Sequence, residues 1–466
     1  MFVPSIERSQ NSLEKALGDL FEKIQGNPKI DIDKVRLAAE FGQEAHLGQF
    51  RKNGDPYFTH PVRVALRAIE YDLDSTTIIG SLLHDVIEDT TYTHQDIILN
   101  FGETVANLIE ALTKVKESKS LTLYKIFELG KVDFRVILIK LLDRLDNMSD
   151  LEALARKKQR QICRESLTIY CEVAHGLGLL EIEEEMRALI FKKLYPNRYH
   201  NLLKSLSDLY QDRIGAIEQI RAKISASLSP GLSLSVTPIF IKSHQYLTQN
   251  GEVDQVLDQI VIETREPIHC YQILGELHTQ FRSIPLSIRD FISNPKANGW
   301  RGLSTQVIIN GEMLSLQIVT QDFQESNRKG LIPLIQGGVY QSESYQQFLQ
   351  LYLDVAGDNV RIEDVFRHNK SRSIQVLTPK GKVIELRYGA SILDFGFMIH
   401  TELGLSTVGG VINGIRYPRS KILEEGMMVK ILTGDNVRPS AEWLDYVVMP
   451  KSRRELLKYY SRILKS

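Results

Sequence analysis

His60 stands in YFTHPVRVA, His84 and Asp85 are adjacent in LLHDVIEDT, and Asp143 sits in KLLDRLDNM. A divalent metal needs several lone-pair donors converging on one point, and two imidazoles with two carboxylates form a mixed set suited to manganese or iron. Each residue is embedded in apolar, helix-patterned sequence, where a carboxylate without a partner is expensive. A single histidine in that setting is more often structural than a ligand. Four such residues in three apolar segments shift the balance to a metal centre. Neighbouring helical positions diverge by about 100°, so His84 and Asp85 can both reach an ion held between helices. Glu88 and Asp89 follow at a spacing of four, one turn further along the same face. Two more acids exceed what charge balance requires, and orienting or deprotonating a water molecule would use them. As the mere end of a helix they would oppose its dipole.

The elements that must position these residues are helices. Apolar residues recur at spacings of three and four over Asp33–Phe50, Pro61–Glu70, Ser75–Asp89 and Asp133–Asp150. Pro61 suits the first turn of its helix, and Asp74 or Ser75 suits the cap of the next. Near Ser229 and Pro230 the texture changes to short β-rich runs (VTPIFI, LDQIVIET, STQVIIN, LSLQIVT) around a helical CYQILGELHTQF, an α+β pattern. YQQFLQLYLDVAG reads as a linking helix. A unit of β-grasp size then begins with two strands about a Pro-Lys-Gly turn in SIQVLTPKGKVIEL. Its helix is SILDFGFMIHTEL, followed by strands in VGGVINGIRY and MVKILTG, and a basic helical tail ends the chain.

Composition sets the limits. The 466 residues suit roughly three domains at about 150 residues each. Lys plus Arg total 57 against 58 Asp plus Glu, which argues against a chain-wide basic surface for DNA. Cys163, Cys171 and Cys270 form no CxxC pair, so a disulfide framework and a zinc ribbon are both excluded and a reducing compartment is expected. The N-terminus lacks the pattern of a signal peptide and no apolar run reaches about 18 residues, so a cytoplasmic protein without membrane spans is expected.

QFRKNGDPYFTHP, LLHDVIEDT, FGETVANLIEALTKV and LIKLLDRLDNM, continuing through CEVAHGLGLLEIEEEMRALIF to LYPNRY, closely resemble the hydrolase domain of the RelA/SpoT homolog family, one of the HD phosphohydrolases. The resemblance implies manganese-dependent removal of the 3′-pyrophosphate from the alarmones ppGpp and pppGpp. It implies that His60, His84, Asp85 and Asp143 bind the metal, with iron or another divalent ion as alternatives, while Glu88 and Asp89 handle the attacking water. Arg51, Lys52 and Asn53 fall where the family's basic loop holds the nucleotide, and Asn147 where it touches sugar or base. An Arg-Lys pair taken alone is more often plain surface; its place just before His60 raises it. One departure stands out: where the family reads Asp-Arg-Leu-His-Asn-Met-Arg-Thr, Asp146 replaces the histidine and Ser149-Asp150 replace Arg-Thr.

Residues 258–325 resemble the family's nucleotidyltransferase-like synthetase domain, which moves pyrophosphate from ATP to GDP or GTP. Asp258 stands in the place of a magnesium-binding Asp and Gln317 is kept. Ser315 occupies the place of the catalytic Glu, and Glu263, Ser304 and Val319 replace two arginines and a histidine. Phosphoryl transfer depends on metal charge and cationic clamps, so this domain is expected to be silent. Arg289, Lys296 and Arg301 read as a solvated basic face rather than a regulatory nucleotide site. The β-grasp stretch resembles the family's TGS domain, which implies contact with tRNA, the ribosome or a carrier protein. Gly404-Leu405-Ser406 in place of Gly-His-Arg weakens a tRNA role, and His400 is retained.

The expected organisation is multidomain: an all-α hydrolase domain over 1–200, a degenerate α+β domain over 201–340, a helical linker over 341–371, the TGS domain over 372–437 and the tail over 438–466. Competing expectations are a bifunctional synthetase/hydrolase, an HD phosphohydrolase for another nucleotide, and a non-enzymatic binding regulator.

Overall fold

The computed structural model describes residues 4–113, 125–240, 257–333 and 373–463, apart from a few single positions within them. The helix expected in YQQFLQLYLDVAG and the 341–371 linker lie outside the described residues. The chain divides into two compact units, Met1–Ala356 and Gly357–Ser466. No helix among the described residues is long and apolar enough to cross a membrane.

The first part of unit one is helical. Helix Ile32–Ala45 starts at Asp31, whose carboxylate accepts from the Lys34 amide at 3.1 Å. The sequence pattern carried this helix to Phe50, but it stops at Ala45 and Gly48 turns the chain at φ +78°. Released from the helix, residues 46–57 form a loop closed by Arg51 N–H to the Asp55 carbonyl at 2.8 Å and Tyr57 N–H to the Gln49 carbonyl at 3.0 Å. Pro61 lies in the first turn of helix Thr59–Ile69, where its missing N–H costs nothing. Asp74 caps helix Ser75–Leu83 through the Thr77 amide, 3.0 Å away.

That helix does not run to Asp89 as the spacing suggested. It ends at Leu83, His84 and Asp85 form a turn, and a short helix Val86–Asp89 follows. A local cause is visible: His84 Nδ1–H donates at 2.8 Å to the Ser81 carbonyl, a last-turn acceptor left without a helical partner. Helix Phe134–Ser149, capped by Asp133, is buried on most sides and packs on Thr59–Ile69 and Ser75–Leu83. Val35, Ala38, Val62, Ala65, Ile78 and Leu82 form part of the core between the neighbouring helices, all with 0% exposure. Ser166–Tyr170 makes a π-helical turn after helix Arg156–Glu165.

The α+β part carries strands β1 Ser235–Phe240, β2 Leu257–Thr264, β3 Arg282–Ser283, β4 Arg289–Asp290, β5 Leu303–Ile309 and β6 Glu312–Thr320. The order is β1-β2-β6-β5-β3, with β4 also on β5; β2 and β6 are parallel and the other pairs antiparallel. Helix Pro267–Gln280 covers one face, packing Cys270, Ile273 and Leu277 on Ile260, Ile262, Leu316 and Ile318. This part seats on the helical part backbone to backbone. Leu331 N–H donates to the Leu177 carbonyl at 3.0 Å. A Cβ at Gly330, whose φ is +58°, would meet that same carbonyl at 2.3 Å.

Unit two is a β-grasp fold. Strands β7 Ser373–Leu377 and β8 Val383–Arg387 form the expected hairpin, and β9 Thr407–Ile412 pairs with both β10 Ile415–Pro418 and β11 Val429–Thr433. The run expected as one strand, VGGVINGIRY, is thus a tight hairpin about Gly414 (φ +81°). The expected helix SILDFGFMIHTEL breaks at His400, which caps the second piece by accepting from the Glu402 amide at 3.3 Å. The basic tail packs on the rest of unit two. Helix Pro450–Ile463 buries Leu456 against Leu393, Phe397 and Trp443, and buried Asp394 accepts from the Val448 and Met449 amides at 3.0 and 3.1 Å.

Candidate metal centre and nucleotide pocket

Three elements bring the four expected ligands together. His60 comes from the start of helix Thr59–Ile69, His84 and Asp85 from the turn after Leu83, and Asp143 from the middle of helix Phe134–Ser149. His60, His84 and Asp143 place one donor atom each within 4.8 Å of one another. Asp85 joins them, its Oδ2 being 3.2 Å from His84 Nε2 and 3.8 Å from His60 Nε2. His60 Nε2 is 3.2 Å from Asp143 Oδ1. All four residues are buried.

The outer ring nitrogens decide what this cluster can hold. His60 Nδ1–H donates to Asp146 Oδ2 at 2.6 Å, and His84 Nδ1–H to the Ser81 carbonyl. With those protons committed, the neutral rings aim Nε2 lone pairs at the carboxylates of Asp85 and Asp143. Acceptors facing acceptors need a cation between them, and buried His84 Nε2 has no hydrogen-bond partner. The donor set therefore suits a divalent metal. A proton is the alternative cation. Burial works against charge on His84, yet Asp85 and Asp143 outweigh it and raise its pKa to about 9. Burial likewise opposes ionisation of Asp143, but Lys140 first and the two histidines next hold it well below the usual carboxylate range. Lys140 Nζ lies 2.7 Å from Asp143 Oδ2.

Beside the cluster opens a cavity of about 620 Å³. Arg51, Lys52, Asn53 and Asn147 line it, as do Asp85 and Asp143. Arg51 donates to Asn147 Oδ1 at 2.9 Å, and Asn147 donates in turn to Asp143. Asp89 is exposed and Glu88 half-buried on the short helix after the turn. The helix break takes both acids off the continuous face on which the spacing placed them. Tyr57 bridges back: its hydroxyl lies 2.8 Å from both Asp85 Oδ2 and Asp89 Oδ2. Tyr57 is held in turn by stacking on buried His46, with ring centroids 4.7 Å apart.

Sequence reasoning missed several of these neighbours. Tyr57, Lys140, Arg144, Lys158 and Tyr170 also line the cavity, with Leu151, Leu154 and Ile162 as an apolar wall. Lys140, Asp146 and Asp150 stand at −3, +3 and +7 from Asp143, one helix face. That signal was present in the sequence. The π-helical turn that carries Tyr170 to Arg144 (3.0 Å) was not.

In the α+β part, Ser315 and Gln317 lie half-buried on the β6 face opposite the core, across from Gln306 and Ser304 on β5. Ser315 accepts from Gln306 Nε2 at 3.4 Å. Asp258 lies on β2. Lys296 sits over the Phe291 and Trp300 rings at 4.7 and 4.8 Å, and Arg301 over Phe323 at 4.7 Å. These two cations rest on aromatic faces.

Comparison with known proteins agrees with this architecture. Residues 38–180 match an HD domain and residues 374–433 a TGS domain. The guanosine-3′,5′-bis(diphosphate) 3′-pyrophosphohydrolase of Vibrio cholerae is 34% identical over 96% of this chain and 67% of its own length. The chain belongs to the RelA/SpoT homolog family. Its relative from Aquifex aeolicus, named for the same activity, is 31% identical over 96% of this chain and 68% of the relative. The Escherichia coli family member named bifunctional (p)ppGpp synthase/hydrolase SpoT is 33% identical over 93% of this chain and 66% of the relative. The chain thus spans about two thirds of the length of these relatives. Its HD and TGS portions fit the multidomain plan of the family.

Proposed function

We propose that the chain is a manganese-dependent 3′-pyrophosphohydrolase for ppGpp and pppGpp, yielding GDP or GTP and pyrophosphate, with a synthetase-like part that does not synthesise. The observation that carries this reading is the pair of histidine Nε2 lone pairs aimed at Asp85 and Asp143 on the wall of a cavity lined by Arg51 and Lys52. The names of the relatives supply the substrate.

His60, His84, Asp85 and Asp143 would hold the metal. When bound, a divalent ion supplies Lewis acidity at a phosphoryl oxygen and makes water more acidic. The remaining work falls to the chain's own groups. Arg51 and Lys52 neutralise phosphate charge, Arg51 with a forked guanidinium. Asn53 and Asn147 offer amides to the nucleotide. Asp89, oriented by the Tyr57 hydroxyl, accepts a proton from the attacking water, and Glu88 supports it. Water adds at the phosphorus next to the ribose and its oxygen stays on the pyrophosphate; the P–O3′ bond breaks, and the 3′-oxygen takes up a proton from solvent in exchange for the one Asp89 releases. A soluble nucleotide substrate supports a cytoplasmic location. The TGS domain would serve as a contact for a regulatory protein, tRNA or the ribosome.

The deciding assay is release of pyrophosphate from ppGpp with and without manganese, by the wild-type chain and Asp85→Ala. Turnover only by the metal-loaded wild type is expected. No turnover by the wild type, or full turnover by Asp85→Ala, overturns the reading.

A further inference from the structure

We propose that Asp146 positions the metal ligand His60 and, clamped by Arg63, sets the metal affinity of the site. The inference rests on the metal-centre reading above and concerns a residue at which this chain departs from its family's histidine.

Asp146 is 2% exposed and lies three residues after Asp143 on the same helix face. One turn of helix Phe134–Ser149 thus supplies one ligand directly and grips another from behind. A carboxylate can only accept, so the 2.6 Å contact fixes the His60 proton on Nδ1 and leaves Nε2 as the donor facing Asp143. An outer carboxylate of this kind locks the ring's tautomer and rotation and makes the inner nitrogen a stronger ligand.

The carboxylate is itself held by a fork. Arg63 Nε donates to Asp146 Oδ1 at 2.7 Å and Nη2 to Oδ2 at 2.9 Å. The same Nη2 donates to Asp150 Oδ2 at 2.8 Å. Arg63 therefore compensates both acids of this segment, and the two-pronged bond removes the freedom of Asp146 to rotate away from His60. A neutral histidine at 146 has one acceptor nitrogen and could not serve Arg63 and His60 together. Arg63, Asp146 and Asp150 form one matched set.

The test is manganese binding by the full chain, measured calorimetrically on wild type, Asp146→Asn, Asp146→His and Arg63→Ala, with metal-free melting temperatures alongside. Asp146→Asn and Asp146→His are expected to weaken manganese binding about 10- to 100-fold, the range for lost outer partners of metal-bound histidines. Arg63→Ala, whose side chain is 29% exposed, offers a milder variant should the buried changes fail to fold. It is expected to weaken binding at least threefold. A purely structural role would lower the melting temperature and leave the affinity of the folded protein alone. Wild-type affinity in the folded variants overturns the inference. Absence of stoichiometric manganese binding by the wild type instead overturns the metal centre itself.

Discussion

Arg51 Nε lies 3.2 Å from Asp150 Oδ2, so this cation of the cavity wall, proposed to meet the nucleotide, already rests on a carboxylate of the same cavity. A phosphate must compete with Asp150 for that guanidinium. Asp150→Asn removes the competitor and a negative charge from the cavity wall. Both side chains are largely shielded, 12% and 22% exposed, so the net pair is worth about 1 kcal/mol and KM for ppGpp is expected to fall about fivefold with kcat little changed. Arg51→Ala is expected to raise KM by about 10- to 100-fold, the scale of a lost charge-assisted hydrogen bond. Initial rates over a substrate series separate the two effects, and an unchanged KM in both variants would remove Arg51 from the nucleotide site.

Tyr57 touches Asp85 and Asp89 through one hydroxyl at equal distance. A hydroxyl carries one proton, so it donates to one carboxylate at a time. Burial first, and Asp85 next, push its own ionisation far above the usual range, so it stays a donor at any working pH. Asp89→Asn is expected to lower kcat by about 10²- to 10⁴-fold, the usual contribution of a general base. Manganese affinity should stay near wild type, because Asp89 stands outside the ligand cluster. Tyr57→Phe should lower kcat less, by about tenfold, through the lost hydrogen bond. A large fall in metal affinity for Asp89→Asn would show that this acid is a ligand instead.

Much of this was legible in the sequence, for a physical reason. His60, His84, Asp85 and Asp143 sit in strongly apolar stretches of sequence, and buried polar groups must find partners. Their types alone therefore named the cluster. Helix boundaries were less legible. Neither the stop at Ala45 nor the break at His84 has a periodicity signal, because each comes from a local competitor: Gly48 in one case, the His84 ring on the Ser81 carbonyl in the other. The clamp on Asp146 was invisible for a different reason. Arg63 and Asp146 are 83 positions apart, and only the packing of their two helices brings them together.

Metal removal should register in stability as well as turnover. Without a cation, Asp85 and Asp143 face two imidazole lone pairs in a buried site. A ligand that binds only the folded state stabilises it by about 2.7 kcal/mol at a hundredfold excess over Kd. Dialysis against a chelator is expected to abolish ppGpp hydrolysis and lower the melting temperature by a few degrees. Added manganese should restore both. A melting temperature indifferent to chelator and manganese would contradict a metal held by these four residues.

All three cysteines are buried, and burial pushes the thiols of Cys171 and Cys270 up to about 12. Since the thiolate is the reactive form, the folded chain should resist a thiol-titrating reagent at pH 8, while the unfolded chain should titrate all three. Rapid modification in the native state would show that the described packing opens readily.

Synthesis of alarmone is the remaining activity to test. Transfer of pyrophosphate from ATP needs metal charge and cations around the moving phosphates, since the protein has little covalent chemistry to perform. On β6 the family's glutamate place holds Ser315, whose hydroxyl accepts from Gln306. Val319, two turns of the pleat further on, is fully buried and carries no charge. Lys296 and Arg301 lie against aromatic rings. Incubation with magnesium, ATP and GDP is therefore expected to give no ppGpp. Ser315→Glu alone should not restore it, because Glu263, Ser304 and Val319 remain. Detectable product from the wild-type chain would make the enzyme bifunctional, as the Escherichia coli relative is named. The hydrolase assay should then be repeated without ATP to keep the two directions apart.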